Sequence, residues 1–257
     1  MKVEVKIYDE SNDTAETTYF LIMGHTASGT RYFRTMMENL GIFRGSSTYS
    51  EVIKERDPEK AWQNMCVSTK QMGEFVGTFV HIPHQIIEIL QVLYPNVEIT
   101  EKNTMKYLTR KMPYVKFIYI TRLNKFHKAI ADVRAQKNGK TARLFMVDSS
   151  DSVEDYNMNE LYQKTLKGIS DEINTLVFFE SNDIEPLYIT YEELCQDRLG
   201  VLKRVVAFLD ISVSEKKIKE VVSAYYPKRT DTAVKDELFR QMMKQRQYVR
   251  IEGVNRK

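Results

Sequence analysis

The sequence has few cysteines and no long apolar runs. Of its 257 residues only Cys66 and Cys195 are cysteines, and they lie far apart in the sequence. This argues against a disulfide framework or a cysteine-rich metal site and favours a reducing compartment. The longest apolar runs, such as YFLIM and VVAFL, fall far short of the roughly 20 residues that span a bilayer. The charged N-terminus has no apolar secretory segment, so we expect a cytoplasmic protein without a transmembrane segment.

The sequence also has little excess of positive over negative charge. The formal net charge is +3, too small for a protein that coats nucleic acid, so no nucleic-acid partner is expected. Residues 225–257, however, carry nine Lys/Arg against four Asp/Glu. This basic helical segment, from about residue 225, is either a solvated face or part of a ligand site.

Apolar patterns predict strands that alternate with helices. YFLIM (19–23) is typical of a buried strand, and YVKFIYIT (114–121) of a central strand because it is rich in β-branched and aromatic residues. The alternation continues without a clear linker or an internal repeat. It predicts a single α/β domain over residues 1–257, with a mostly parallel central sheet flanked by helices. Such sheets bind ligands at the carboxyl ends of their strands.

The segment GHTASGT, between the first strand and its helix, has the glycine spacing of a phosphate-binding loop. Gly24 and Gly29 bracket four residues, and the N–H groups of such a loop and of the helix after it favour an anion. Thr30 and Arg31 stand where nucleoside triphosphate enzymes need a lysine and a magnesium-holding hydroxyl. ATP or GTP binding is therefore disfavoured, and no metal is expected. The alternative is a glycine turn that binds nothing.

Three segments, in this order, resemble sulfotransferases that use 3′-phosphoadenosine-5′-phosphosulfate (PAPS). SGT after an apolar strand looks like their 5′-phosphosulfate loop. FIYITRLNKFHKAIADVRAQKNG (117–139) is similar to the segment that holds the 3′-phosphate, and its TR and VRAQ resemble the bacterial trehalose-type enzymes. IEPLYITYEELCQDRLGVLKRVVAFLDI (184–211) looks like the closing strand and helix of the family. The resemblance covers most of the chain and implies a P-loop-containing, nucleotide-binding fold of the sulfotransferase type.

The resemblance also implies which residues bind PAPS. Arg122, at the end of the central strand, would hold the 3′-phosphate, because a guanidinium binds phosphate through two hydrogen bonds. The alternative for Arg122 is a salt bridge to Glu192 or another carboxylate. The implied PAPS contacts are Thr26, Ala27, Ser28, Gly29, Thr30, Arg31, Arg122, Lys228 and Arg229.

Two departures from the family pattern concern charge. Relatives usually have Lys or Arg where this chain has Ala27, and a phosphate-binding serine near Ala131. Sulfuryl transfer spreads negative charge over the sulfuryl oxygens and the leaving phosphate, so another cation is needed. Arg31 is the predicted substitute and His25 a second candidate. The alternative is that Arg31 is exposed and inert.

The segment FVHIP resembles the Lys-Ser/Thr-His-Leu-Pro segment of animal cytosolic sulfotransferases, whose histidine takes the proton of the acceptor. His81 is therefore the predicted general base, for which an ordinary histidine pKa is suitable. A purely structural histidine is the alternative. His84 and Glu51 are the reserve candidates.

The combined prediction is a sulfotransferase that moves a sulfuryl group from PAPS, by in-line displacement, to a hydroxyl of a small molecule, most specifically a carbohydrate or glycolipid. Relatives of the trehalose type also imply a homodimer. Loops 41–57 and 141–158 are expected to form the acceptor pocket. One rival is a catalytically degenerate nucleotide-binding protein of the same fold, which Ala27 and Ala131 favour. The other is a P-loop small-molecule kinase, which Thr30 disfavours.

Overall fold

The described part of the chain folds around a five-stranded sheet. A computed structural model describes residues 17–70, 72–137, 152–224 and 234–244. The strands are β1 (Thr18–Met23), β2 (Cys66–Thr69), β3 (Gly73–Val80), β4 (Lys116–Thr121) and β5 (Leu187–Thr190). Their order is β2-β3-β1-β4-β5. All neighbouring pairs are parallel except β2 with β3, which confirms the predicted mostly parallel sheet.

Helices flank this sheet, as predicted. They are α1 (Thr30–Leu40), α2 (Tyr49–Val52), α3 (Pro58–Met65), α4 (His84–Leu93), α5 (Thr104–Lys111), α6 (Lys125–Lys137), α7 (Met158–Ser181), α8 (Tyr191–Gln196), α9 (Arg198–Leu209) and α10 (Glu215–Ala224). A further helix covers residues 234–244. The sequence patterns missed β2, α2, α8 and α10; the first three are too short for apolar periodicity to show. Among the described residues, no helix combines the length and apolarity needed to cross a bilayer.

The apolar run of β1 is explained by burial on both faces of the sheet. Phe20 and Ile22 lie in one core cluster, together with the buried face of α1. Leu21 and Met23 lie in a second cluster, with α4 and α5. Successive side chains of a strand point to opposite faces, so a central strand with two covered faces must be apolar throughout.

The position of α1 is fixed by its buried face and by its end. Its buried side chains are Thr30, Phe33, Met36, Met37 and Leu40. Gly41 ends the helix with a φ of 84°, and its N–H donates to the carbonyl of Glu38. Glycine adopts this left-handed conformation without the steric cost of a side chain. The helix is thereby held against the sheet with its N-terminus at the carboxyl end of β1.

The basic C-terminal segment is helical over 234–244 and buries one side. Leu238 and Met242 join a third core cluster formed with α6 and α7, whereas Arg240 and Lys244 are exposed. The solvated-face interpretation therefore holds for these two basic side chains, while the apolar side of the helix is packed.

Gly77 of β3 pairs with Phe20 of β1, and the ring of Phe20 occupies the space beside it. A Cβ on Gly77 would lie 2.6 Å from two carbon atoms of that fully buried ring. We predict that Gly77→Ala lowers the free energy of unfolding by about 1–3 kcal/mol, because the ring must shift in a packed core. Urea denaturation measures this change. The control is Gly45→Ala, where the nearest atom is the flexible end of Glu38 at 3.4 Å; equal midpoints for the two variants would contradict the packing.

Candidate active site

The parallel strands end at one edge of the sheet, and the residues that follow them are suited to binding or chemistry. Gly24 follows β1, His81 follows β3, Arg122 follows β4 and Tyr191 follows β5. The chain leaves β1 for β3 on one side and later crosses to β4 on the other side. In sheets of this kind, such a reversal marks a crevice at the carboxyl edge, which is their usual ligand site.

The loop between β1 and α1 turns through two left-handed residues. Ala27 has a φ of 59° and Gly29 a φ of 85°. Gly29 is the N-cap of α1, and no side chain in the described part of the chain caps this helix end. Ser28 is buried, and its hydroxyl has no hydrogen-bond partner within the described ranges. The positive end of the helix dipole and a buried polar group therefore meet in this loop, which favours an anion.

Both loop glycines are packed too closely for a side chain. A Cβ on Gly29 would overlap the ring of Tyr191, and a Cβ on Gly24 would lie 2.8 Å from the carbonyl oxygen of Ile120 in β4. The positive φ of Gly29 adds a conformational reason for glycine. The glycine spacing thus reflects contacts of the loop with β4 and α8.

Arg122 is buried beside this loop and is held on two sides. Its Nη1 donates to the carbonyl of Ala27 at 3.4 Å. Its guanidinium carbon lies 4.6 Å from the centre of the Tyr191 ring, a cation–π distance. Its Nε is buried and has no hydrogen-bond partner in the part of the chain that the structure describes. The guanidinium therefore joins the loop to the strand end and still has an N–H group to offer.

Glu192, the alternative partner of Arg122, binds backbone groups. Its carboxylate accepts from the N–H of Leu123 at 3.0 Å and from the N–H of Asn124 at 3.3 Å. Within the described ranges, Arg122 forms no ion pair, so the alternative of a salt bridge is not found there. Burial lowers the pKa of Arg122. A buried cation without a carboxylate in contact favours an anionic ligand.

His81 is oriented by two hydrogen bonds. Its Nδ1 lies 2.9 Å from the carbonyl oxygen of Gly24, and its backbone N–H donates to the Gln85 side chain at 2.6 Å. A carbonyl oxygen can only accept, so the neutral ring carries its proton on Nδ1 and a lone pair on Nε2. Burial lowers the pKa of His81, with the Gly24 hydrogen bond opposing it. The ring is therefore neutral at pH 7, as a general base must be.

His25 is buried between the loop and α7. Its Nε2 lies 3.3 Å from Oγ1 of Thr175, and that hydroxyl donates to the carbonyl of Asp171 at 2.9 Å. Because the hydroxyl has a single proton, His25 is the donor in the first of these bonds. Burial lowers the pKa of His25 to about 4, with the charge of Asp171 opposing this shift. His25 is therefore neutral at pH 7 and anchors the loop to α7.

Two partly buried ion pairs at the site were not predicted from the sequence. Lys128 and Asp132, one turn apart on α6, pair at 2.9 Å. Burial has the largest effect on the pKa of His81, and the charges of these two residues shift that pKa in opposite directions. Lys125 pairs at 2.7 Å with Glu172 of α7. In the sequence, a lysine four residues before an aspartate on a helix resembles an ordinary surface pair. The packing of α7 on α6 shields these pairs from most of the solvent.

The other predicted site residues lie in the loop, on the surface or outside the described residues. Thr30 is buried as the first residue of α1. Exposed are Thr26, Arg31, Glu51 and His84. Glu51 pairs on the surface with Lys54 at 3.2 Å, so both reserve candidates for the base are exposed, whereas His81 contacts the loop. Lys228 and Arg229 lie outside the described residues.

Part of the predicted acceptor loop 41–57 is fixed beside β3. The carbonyl of Ser47 accepts from the N–H of Phe79 at 3.0 Å and from the hydroxyl of Thr78 at 2.6 Å. This places the loop next to the strand that ends at His81. Of the second predicted loop, only the residues from 152 onward lie in the described part of the chain.

Among the described residues, no other feature is as good a candidate for a ligand site as this edge of the sheet. Among those residues, no group of three or more His, Cys, Asp or Glu side chains could hold a metal ion. A groove of about 640 Å³, lined by residues such as Tyr114, Lys116 and Asp183, lies where β4 begins. That is the amino edge of the parallel strands, opposite the edge where such sheets bind ligands.

The sequence also matches a known protein family over most of its length. The sequence model of the Stf0 sulphotransferase family matches residues 61–241. The chain belongs to this family. The predicted membership of the sulfotransferases is thereby confirmed. The matched range includes His81 and Arg122 and begins after the Gly24–Gly29 loop, so the role of the loop depends on its geometry.

Solved structures similar to the chain include other sulfotransferases. The mouse sulfotransferase SULT7A1, complexed with PAP, is 15% identical over 80% of this chain and 63% of that chain, with a TM-score of 0.42. The sulfotransferase domain from the Synechococcus PCC 7002 olefin synthase is 11% identical over 91% of each chain, with a TM-score of 0.39. The Stf0 protein thus spans less than two thirds of the mouse structure. No curated protein matches its sequence.

Burial of His25 should make the protein less stable in acid. Its pKa is about 4 in the folded state, against 6.5 ordinarily, so the unfolded state binds a proton first as the pH falls. We predict that, between about pH 7 and pH 4.5, the wild type loses about 2 kcal/mol more unfolding free energy than His25→Gln. Urea unfolding at both pH values measures the difference. The exposed His84→Gln control should behave like the wild type, and an equal loss in His25→Gln would contradict the burial of His25.

Proposed function

We propose that this sulfotransferase uses PAPS and sulfates a hydroxyl of a carbohydrate or glycolipid, as the trehalose-type enzymes do. The observation that carries the proposal is a pair of buried polar atoms at the crevice, Ser28 Oγ and Arg122 Nε, neither of which has a hydrogen-bond partner among the described residues. Each such atom costs roughly 1–3 kcal/mol. An anionic ligand that accepts from both would offset this cost.

The two anionic groups of the nucleotide would bind at the ends of two strands. Ser28, Gly29 and Thr30 would hold the 5′-phosphosulfate at the N-terminus of α1, which no described side chain caps. Arg122 would hold the 3′-phosphate, supported by its contact with Tyr191. When bound, PAPS would supply an activated sulfuryl group.

The acceptor hydroxyl would lose its proton to His81. The hydrogen bond of Nδ1 to Gly24 leaves the lone pair on Nε2, and burial lowers the pKa so that the ring is neutral. Arg31 would supply the positive charge that Ala27 lacks. His25 would instead position the loop, since its pKa of about 4 leaves it neutral at pH 7.

The surface near the base favours an acceptor that is partly apolar. Ile82 directly follows His81, and Leu123 directly follows Arg122; these apolar side chains are 37% and 62% exposed. A glycolipid combines hydroxyl groups with an apolar portion, so it suits a surface with these two exposed apolar side chains better than a free sugar does. Among the proposed acceptors, the glycolipid is therefore the first choice.

The first test is calorimetric titration with the desulfated nucleotide, 3′-phosphoadenosine-5′-phosphate. We expect binding that Arg122→Ala weakens by about 100-fold or more and Ser28→Ala by about 10-fold, because the first removes a charge-assisted donor and the second a neutral one. Arg110→Ala, an exposed arginine of α5, is the matched control and should bind like the wild type.

Other outcomes of this titration separate the rivals. Binding of ATP with magnesium in place of the desulfated nucleotide would favour a kinase. Nucleotide binding without turnover on any glycolipid or sugar acceptor would favour the degenerate protein. Absence of binding by a folded wild type, with an intact circular dichroism spectrum and cooperative unfolding, would contradict a nucleotide site at this edge.

The proposed base has its own test. His81→Gln should lower kcat by about 10²–10⁴-fold and leave nucleotide affinity within about twofold, because the side chain acts on the acceptor proton. In the wild type, kcat/KM should fall in acid with a midpoint below 6.5, since the base must be neutral and burial lowers the pKa of His81. Kinetics from roughly pH 5 to pH 9 measure both effects. An unchanged kcat in His81→Gln would eliminate this residue as the base.

A further inference from the structure

The peptide unit that follows Arg122 is held at both of its polar ends. Its carbonyl oxygen accepts from the ammonium of Lys125 at 2.6 Å. Its N–H, which belongs to Leu123, donates to the carboxylate of Glu192 at 3.0 Å. Because a peptide unit is planar, these two contacts fix the backbone rotation on the carboxyl side of Arg122. On the other side, the backbone is fixed by the pairing of Thr121 with β5. The direction in which the arginine side chain leaves the end of β4 is thereby set.

Lys125, the first residue of α6, uses its whole ammonium for contacts within the chain. Besides the carbonyl of Arg122, it donates to Oγ1 of Thr121 at 2.8 Å and pairs with Glu172 of α7 at 2.7 Å. A lysine ammonium has three N–H groups and no acceptor, so these contacts account for all three. The side chain is only 13% exposed. Lys125 is therefore not available as a direct ligand of a bound anion, although it lies just three residues after Arg122.

Glu172 completes this cluster from α7. One of its carboxylate oxygens contacts Lys125, and the other accepts from the hydroxyl of Thr121 at 2.6 Å. The hydroxyl of Tyr188 in β5 is a third donor, at 3.4 Å. Burial alone would raise the pKa of Glu172, but the hydrogen bonds from Lys125 and Thr121 outweigh burial, and the pKa is lowered. The carboxylate is therefore charged at pH 7 and holds the ammonium in place.

The cluster supports Arg122 separately from the glycine loop. Thr121 ends β4, Lys125 begins α6 and Glu172 belongs to α7, so none of the three residues lies in the loop. The loop has its own anchor to α7, through His25 and Thr175. Loss of the cluster should therefore disturb Arg122 much more than the loop.

We propose that Lys125 and Glu172 are positioning residues for Arg122, which hold the peptide unit after it so that the guanidinium meets the 3′-phosphate of the nucleotide. This rests on the proposed function, because it requires a nucleotide whose 3′-phosphate binds at Arg122. Lys125 acts through Arg122 and not as a second phosphate ligand, since its three donors are already used within the chain.

Calorimetric titration with two nucleotides tests this role. The desulfated nucleotide has a 3′-phosphate, and adenosine 5′-monophosphate lacks it. We expect Lys125→Met to weaken binding of the first by about 10-fold and of the second by less than about twofold, because the cluster affects only the contact of Arg122 with the 3′-phosphate. Glu172→Gln should weaken the first by about threefold, since its amide still offers Lys125 an acceptor oxygen.

A double-mutant cycle separates positioning from direct contact. In the Arg122→Ala background, Lys125→Met should change the affinity for the desulfated nucleotide by less than about twofold, because its effect requires the arginine. A direct phosphate ligand would instead weaken binding by about 10-fold in both backgrounds, which would contradict the proposal.

A further variant separates positioning from stability. Lys125→Met leaves the Glu172 carboxylate partly buried without its cation, which destabilises the fold. Lys125→Met/Glu172→Gln removes both charges, so its urea midpoint should return toward that of the wild type while its affinity for the desulfated nucleotide stays about 10-fold lower. Lys167→Met is the matched control. It removes an exposed lysine that pairs with Asp171 on α7, and it should bind both nucleotides like the wild type.

The outcomes distinguish this proposal from the proposed function. If Arg122→Ala weakens binding of the desulfated nucleotide but Lys125→Met does not, the positioning role is wrong and the nucleotide site stands. An equal loss of affinity for both nucleotides in Lys125→Met would indicate a general structural role and also overturn the proposal. A wild type that binds neither nucleotide, or binds both equally well, would overturn the 3′-phosphate site and the positioning role together.

Discussion

The parallel pairing of β1 with both β3 and β4 is the constraint on which the rest of the structure depends. Met23, the last residue of β1, is opposite Val80, the last residue of β3, so Gly24 and His81 follow at the same level and their hydrogen bond is short. In β4 the residue opposite Met23 is Tyr119, so this strand continues further and brings Arg122 over the loop. A shift in either register would separate the loop, His81 and Arg122.

The burial of Arg122 at this edge of the sheet costs free energy. Removing a guanidinium from water is unfavourable by several kcal/mol unless partners replace the water. The carbonyl of Ala27 and the ring of Tyr191 supply part of that replacement, and both belong to segments that border the crevice. The left-handed φ of Ala27 is a second cost, because this backbone conformation is unfavourable for a residue with a side chain.

The sequence was sufficient for most of the fold and for naming Gly24, His81 and Arg122, which the structure brings to the same edge of the sheet. It was not sufficient for the contacts among the residues of the candidate site. Long periodic segments such as α7 can be recognised from the spacing of their apolar residues, and the glycine loop from its two glycines. The edge strand β2 cannot be recognised in this way, since its four residues directly follow a helix and show no alternation of apolar and polar residues. Likewise, Glu172 meets Thr121, 51 residues away, and His25 meets Thr175, 150 residues away. Such contacts depend on the packing of α7, which no local pattern specifies.

Helix α7 holds two parts of the candidate site in place. On its inner side Glu172 holds Lys125, whose ammonium also donates to the carbonyl of Arg122 at 2.6 Å, while Thr175 holds His25 under the loop. A displacement of this one helix would therefore disturb the arginine and the loop together.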